Sequence, residues 1–283
     1  MRTLLISIVL IFSQRAIAMD ANLAAQWEEL TAPDFVKAVA KSGKVCIIPT
    51  GIIEKHGPHM PLGTDLIAAR AQVLNAVKEE YAVVFPEYYV GQINEARNQP
   101  GVIAYSPDLV WKMLQETCNE ISRNGFEKII IVNGHGGNND LLKYFCMSQL
   151  SEKRNYAIYL FQPKTDANEH RKVEELMKKL PPSTGEHAGA IETSYMLAVR
   201  PDLVKMDNAS MQSGADQDRL TSLPDVYTGI WWYAKFPNHY AGDGKVATPE
   251  LGRAMLEEDT KQLVRMIREV KAAIKVPELQ KQF

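Results

Sequence analysis

The segment from Glu54 to Asp65, EKHGPHMPLGTD, brings together Glu54, His56, His59 and Asp65, stiffened by Pro58, Pro61, Gly57 and Gly63. It follows Val45-Cys46-Ile47-Ile48-Pro49-Thr50-Gly51, a short apolar run that reads as a buried strand ending in a turn. In extended backbone Glu54 and His56 point to the same side, because side chains alternate with period two. The proline- and glycine-rich stretch can then fold Asp65 back toward them. Mixed oxygen and nitrogen donors of this kind suit Zn²⁺, Mn²⁺ or Fe²⁺. A lone pair of histidines would read more simply as a polar surface loop. The two carboxylates, and two further clusters downstream, favour a metal site.

The second cluster is Ile129-Ile130-Ile131-Val132-Asn133-Gly134-His135-Gly136-Gly137-Asn138. Four β-branched residues in a row predict a strand buried on both faces, as in a parallel sheet. Gly134, Gly136 and Gly137 let the chain turn tightly at its carboxyl end. Open α/β sheets bind their ligands at that edge, so His135 lies where a site is expected. Such a loop can also cradle phosphate, but Gly-His-Gly-Gly-Asn matches neither the dinucleotide fingerprint nor the P-loop pattern. The third cluster is Gly185-Glu186-His187-Ala188-Gly189-Ala190-Ile191-Glu192-Thr193-Ser194, preceded by Pro181 and Pro182. Small residues at 188 to 190 allow a helix start to approach another surface closely. Glu192 follows His187 by five residues, so a helix does not stack them in one line, yet it can direct Glu192 and the Glu186-His187 pair into one cavity. A helix N-terminus that favours an acidic residue accounts for Glu186 alone.

Elements that could hold these clusters alternate along the chain. Val45 to Pro49, Ala82 to Phe85, Lys128 to Val132 and Tyr156 to Phe161 read as strands. Asp65 to Glu80, Ser106 to Asn124 and Asn138 to Lys153 read as helices, with Ser106-Pro107-Asp108 as an N-terminal signal and Gly125 as a stop. This βαβ alternation implies a mostly parallel sheet covered on both faces. A last helix, Pro249 to Ile274, carries an apolar stripe at Leu251, Met255, Leu263, Met266, Val270 and Ile274, which reads as core packing or an oligomer contact.

With these motifs in order, the chain resembles the creatininase (creatinine amidohydrolase) family. The matching pieces are Glu54 to Asp65, Asn133 to Asn138 and Glu186 to Ser194, with weaker matches at Pro100-Gly101-Val102-Ile103, Gly242-Asp243 and Ala247 to Gly252. The resemblance implies a three-layer α/β/α sandwich with a mostly parallel sheet, a two-metal site, hydrolysis of an amide, formamide or cyclic amide C–N bond, and homo-oligomers, often hexamers. It further implies Glu54 and His135 on one divalent ion, His56 and Glu192 on the other, and Asp65 bridging, with Zn²⁺ first and Mn²⁺ or Fe²⁺ as alternatives. His187 would then protonate the departing nitrogen, Glu186 would orient it or move protons, and His59 would fix a ligand from outside the site. Creatininase proper carries a metal-ligating glutamate two residues after the histidine that matches His135. Here that position is Gly137. Gly-His-Gly-Gly-Asn instead looks like the branch of formamide hydrolases and the mycofactocin maturation peptidase. The competing reading is a secreted metal- or ligand-binding protein that kept the scaffold without catalysis, although binding alone needs no proton-moving Glu186-His187 pair.

The 283 residues show no linker, repeat or low-complexity segment, and 46% hydrophobic content suffices for one sizeable core. A single domain over 19–283 is expected. A net charge of −2 gives no hint of nucleic-acid binding, and no basic patch interleaved with aromatics appears, so no nucleic-acid partner is expected. Arg2, the apolar run Thr3 to Phe12 and Ala16-Ile17-Ala18 describe a signal peptide over 1–18 and hence a periplasmic or secreted protein, with no stable membrane insertion after cleavage; Arg15, atypical beside a cleavage site, leaves an uncleaved anchor as the alternative. Cys46, Cys118 and Cys146 lie in apolar stretches and read as buried thiols rather than a disulfide. Trp231-Trp232-Tyr233, in a segment rich in Gly, Pro and Asp, either walls a pocket for a small-molecule substrate or fills a contact between subunits. His170 and His239 have no evident partner and read as solvated or structurally bonded.

Overall fold

The computed structural model describes residues 23–182 and 187–283; the expected leader at 1–18 lies outside them. In chain order the elements are α1 (Ala32–Lys41), β1 (Val45–Thr50), α2 (Thr64–Glu79), β2 (Val83–Val84), α3 (Pro107–Arg123), β3 (Lys128–Asn133), α4 (Asn139–Ser148), β4 (Ala157–Leu160), α5 (Ala167–Met177), α6 (Ala190–Val199), α7 (Trp231–Lys235), α8 (Pro249–Ala272) and α9 (Lys275–Gln282). The four strands pair in the order β2-β1-β3-β4, and every pairing is parallel.

The period of two in β1 decides the layers. Cys46 and Ile48 face a core built with Ala38 of α1, Leu114, Cys118 and Ile121 of α3, and Leu142 and Phe145 of α4. Val45 and Ile47 face the opposite core, with Val73, Ala76 and Val77 of α2 and Leu263, Val264 and Ile267 of α8. The β-branched run of β3 divides in the same way, so both faces of the sheet are covered. This is the expected three-layer α/β/α arrangement. Cys46, Cys118 and Cys146 are free thiols, the first two fully buried, and burial pushes the Cys118 thiol up to about 12.

Some boundaries differ from those expected. The helix anticipated over Asn138 to Lys153 is an α-helix only from Asn139 to Ser148, with tighter 3₁₀ turns at both ends. At its start the cause is a distant partner: the Asn138 side chain accepts the Gln92 N–H at 2.8 Å and so serves another loop rather than capping the helix. The helix after α8 is separate because the ladder breaks at Ala273. Among the described residues no helix is long and apolar enough to cross a membrane.

Two glycines at the sheet's carboxyl edge set the position of α2. A Cβ on Gly51 would lie 2.3 Å from the Leu66 nitrogen and 2.7 Å from the Asp65 carbonyl carbon. A Cβ on Gly134 would lie 2.5 Å from the Asp65 oxygen. Only bare backbone at the ends of β1 and β3 lets the first turn of α2 press against the edge, and that turn carries Asp65.

Candidate metal centre

The loop leaving β1 folds back on itself through the Glu54 N–H, which donates to the Leu62 carbonyl at 2.9 Å. This aims Glu54 and His56 at the start of α2. His135 arrives from the turn after β3, and Glu192 from the first turn of α6. Glu54, His56, Asp65 and His135 are all buried. The structure thus gathers at one place five side chains that are scattered between positions 54 and 192.

The backbone fixes which face each imidazole presents. His135 donates Nε2–H to the Gln92 carbonyl at 2.9 Å. Its Nδ1 then faces Glu54 Oε1 at 2.9 Å and Asp65 Oδ2 at 3.2 Å. His56 points Nδ1 at the Glu54 carbonyl, 3.3 Å away, and Nε2 at Asp65 Oδ1 (3.0 Å) and Glu192 Oε2 (3.9 Å). Hydrogen bonds at the far nitrogen are how ligating histidines are usually held. Two of the donor groups within 4.8 Å are Glu54-Asp65-His135 and His56-Asp65-Glu192; a third is Glu54-His56-His187. Asp65 belongs to both of the first two and turns a different oxygen to each, the geometry of a bridging ligand.

These residues also pass a test of fit for cations. Glu54 Oε1 and Asp65 Oδ2 are buried without a hydrogen-bond partner, although His135 Nδ1 lies 2.9 and 3.2 Å from them. Buried oxygens of this kind are costly unless something satisfies them. Burial alone pulls His56 down, yet Asp65, Glu54 and Glu192 carry its pKa up to about 10. His135 is likewise opposed by burial and held well above its usual range by Glu54 and Asp65. Burial works against ionised Glu54, but the charged His135 beside it holds its carboxyl well below the usual range. Glu192 keeps 34% of its side chain open to the cavity. Even so, desolvation pushes it up to about 7, with Asp65 and Glu54 adding to the rise against His56. The carboxylates therefore demand positive charge between them, which protons supply in the ion-free protein.

The remaining expected residues fall around this core. His187 donates Nε2–H to the Lys55 carbonyl at 2.8 Å, and its Nδ1 lies 3.8 Å from Glu192 Oε2. Burial, with His56 and His239 beside it, pushes its pKa down to about 3 against the pull of Glu54, so its ring is neutral. Glu186 lies outside the described residues. His59 touches no donor of the core. It bonds the Thr193 hydroxyl at 2.8 Å, and that hydroxyl donates to the Ala188 carbonyl. The Ala188 N–H in turn donates to Glu192, so His59 steadies the turn between His187 and Glu192.

His239, which has no evident partner in the sequence and reads as solvated or structurally bonded, is buried and bonded, and its partner lies in the site: it donates to Glu54 Oε2. Gln92, which sets the His135 tautomer, was also missed. Neither lies in a periodic or motif-like stretch, and only the Gly/Pro/Asp-rich segment around His239 hinted at a structured loop. His170 does bond structurally, its Nδ1 meeting Glu258 at 3.1 Å. Trp231 and Trp232 wall the cavity in front of the site, which favours the pocket reading for them.

That cavity measures about 410 Å³ and reaches Glu54, His135, His187 and Glu192. A second cavity of about 750 Å³ adjoins it, with Gln92, Glu95, Gly137, Asp140, Tyr227 and Gly229 in both walls.

Residues 28–267 match the family model described as creatinine amidohydrolase, so the chain belongs to the creatininase family. It is 26% identical over 253 residues to the creatinine amidohydrolase of Pseudomonas putida, covering 85% of this chain and 95% of that one. It is 31% identical over 169 residues to the mycofactocin precursor peptide peptidase of Mycolicibacterium smegmatis, covering 57% of this chain and 60% of that one. Among solved structures, a tryptophan-to-alanine mutant creatininase superposes with a TM-score of 0.75 at 22% identity, over 88% of this chain and 100% of that one. A creatininase described as the Mn form superposes with a TM-score of 0.71 at 22% identity, over 87% of this chain and 98% of that one. These structural likenesses establish the shared α/β fold.

Proposed function

We propose that this protein is a metal-dependent amidohydrolase that cleaves a C–N bond at two divalent ions, one held by Glu54, Asp65 and His135, the other by His56, Asp65 and Glu192. The observation that carries it is Asp65, whose two oxygens face two separate donor groups while one of them lacks a hydrogen-bond partner. Divalent ions in those groups would supply Lewis acidity and lower the pKa of water to about 7. Relatives named a creatinine amidohydrolase and a peptide peptidase support the hydrolase class, and solved creatininases titled as Mn and Zn-Zn forms support the choice of ions.

His187 is the group that moves the proton. Its ring is neutral, its Nε2 is committed to the Lys55 carbonyl, and Nδ1 remains beside the cavity. It can take a proton at Nδ1 and return it to the departing nitrogen. Glu186, its neighbour in sequence, is proposed to pass that proton on. Trp231 and Trp232 line the same cavity, with the Trp232 ring edge-on to His187 at 5.7 Å, and exclude water beside it.

Creatinine is not expected to be the best substrate. A Cβ at Gly137 would lie 2.4 Å from His135 Nε2 and 3.1 Å from the Gln92 and Glu95 side chains, so a carboxylate-bearing residue does not fit there. The adjoining outer cavity leaves room for a longer molecule than a small ring, which favours an extended amide or peptide end. The test is to purify the protein without added metal, count its ions, and compare creatinine with formamides, lactams and short peptides. About two ions per chain and turnover favouring an extended amide are expected; metal-free protein that takes up neither Zn²⁺ nor Mn²⁺ defeats the proposal.

Ion uptake should also depend on pH. At pH 7 His56, with a folded pKa raised to about 10, holds a proton that an ion must displace. His135, held well above its usual range, holds another, and Glu192, raised to about 7, adds one more below neutrality. Affinity should therefore rise with pH, by about tenfold per unit for each proton displaced, most steeply below pH 7. Calorimetric titration in buffers of different ionisation enthalpy measures the released protons. Uptake without proton release, at an affinity indifferent to pH, would contradict this assignment.

A further inference from the structure

His239 and Glu54 are 185 positions apart, yet His239 Nε2 donates to Glu54 Oε2 inside the buried centre. The other ring nitrogen, Nδ1, lies 2.7 Å from Trp232 Nε1. An indole N–H can only donate, so Nδ1 must accept, and the ring proton must sit on Nε2, where Glu54 receives it. Trp232 thereby selects the tautomer that serves Glu54.

The backbone goes to some trouble to put the ring there. His239 has φ of 51°, a left-handed conformation that L residues other than glycine rarely adopt. It is held by its N–H to the Phe236 carbonyl at 2.9 Å and by the Gly57 N–H to its own carbonyl at 3.3 Å. Two residues on, Ala241 pairs with His187 in an antiparallel bridge. Trp232 is fixed from both sides, its ring 4.9 Å from Phe236 and 5.7 Å edge-on from His187. The two oxygens of Glu54 are therefore inequivalent: Oε2 is engaged by His239, and Oε1 is buried without a hydrogen-bond partner and faces His135.

We propose that His239 is a positioning residue, oriented by Trp232, that engages one oxygen of Glu54 so that the other alone is offered to an ion. The inference rests on the two-ion reading above. It assigns the Trp232-His239 pair to the Glu54-Asp65-His135 ion and not to the His56-Asp65-Glu192 ion, whose donors it does not touch. Trp232 also walls the cavity, so the same pair joins the substrate side of the pocket to a metal ligand.

The experiment measures Zn²⁺ affinity by competition with a chelator, ion by ion, in the wild-type protein, His239→Ala, His239→Gln and Trp232→Phe. Thermal unfolding of each after chelator treatment is recorded alongside. Loss of an outer partner to a ligand typically costs about 10–100-fold in metal affinity. His239→Ala should lose that much for one ion while keeping the other at wild-type affinity. His239→Gln, whose amide can return a donor to Oε2, should recover part of the loss. Trp232→Phe, which removes the tautomer-setting donor but keeps the packing, should weaken the same ion less, and it remains informative if His239→Ala folds poorly. The inference is overturned if His239→Ala and Trp232→Phe hold both ions as the wild type does. It is equally overturned if both ions weaken together with a fall in unfolding temperature of the ion-free protein. Failure of the wild-type protein to bind Zn²⁺ would instead remove the two-ion reading itself.

Discussion

Asp65→Ala should lose both ions and abolish turnover. Its carboxylate lies 3.0 Å from His56 and 3.2 Å from His135, and belongs to both donor groups. Removing it strips one ligand from each group at once. Activity should fall by more than about 10⁴, beyond the usual cost of a single proton-transfer group, because both Lewis acids go together. Stability should suffer as well. In the ion-free protein His56, with its pKa raised to about 10, carries a buried charge that Asp65 offsets, and breaking such a pair costs on the order of 3–5 kcal/mol. Asp65→Asn separates the two effects, since it keeps the shape of the side chain and removes its charge. Metal stoichiometry, turnover and chemical unfolding of the two variants provide the check. Full occupancy in a folded Asp65→Asn protein would show that the two groups do not share this residue.

His187→Ala should leave both ions in place and lose about 10²–10⁴ in turnover, the range for a positioned proton-transfer group. His187 is in neither of the two groups that share Asp65, but it stands 4.0 Å from Glu54 and 3.8 Å from Glu192. The outcome is sharpened by comparison with His135→Ala, which should shed an ion as well as activity. The two variants are compared by metal content and by the pH dependence of the rate. If His187→Ala sheds an ion as readily as His135→Ala, then the Glu54-His56-His187 group is the one in use, and the proton must be moved by another residue, with Glu186 next in line.

Much of the site was legible in the chain because its pieces are local. The apolar runs of β1 and β3 end in glycine, and loops after parallel strands collect on one edge. The sequence pattern therefore puts His135 and the Glu54-His56 pair on the same edge. The βαβ alternation likewise fixed the layers, since a strand buried on both faces needs helices above and below. Some helix ends were less legible. Asn138 shows why: its side chain answers a backbone N–H from residue 92, a demand that no local window contains.

Sequence by itself determined the kinds of donor, their grouping into three clusters, and the sheet that carries two of them. Tertiary structure alone decided how those donors share the work. Asp65 divides its oxygens between two histidines because Gly51 and Gly134 let α2 press onto the sheet edge. Each imidazole shows a chosen nitrogen because a distant carbonyl, from Gln92 for His135 and from Lys55 for His187, takes the other. His239 reaches Glu54 across 185 positions through a strained loop. Periodicity reports only which side of its own element a residue faces. Partners between loops depend on the path of the whole chain, and no repeat of two or 3.6 residues encodes that path.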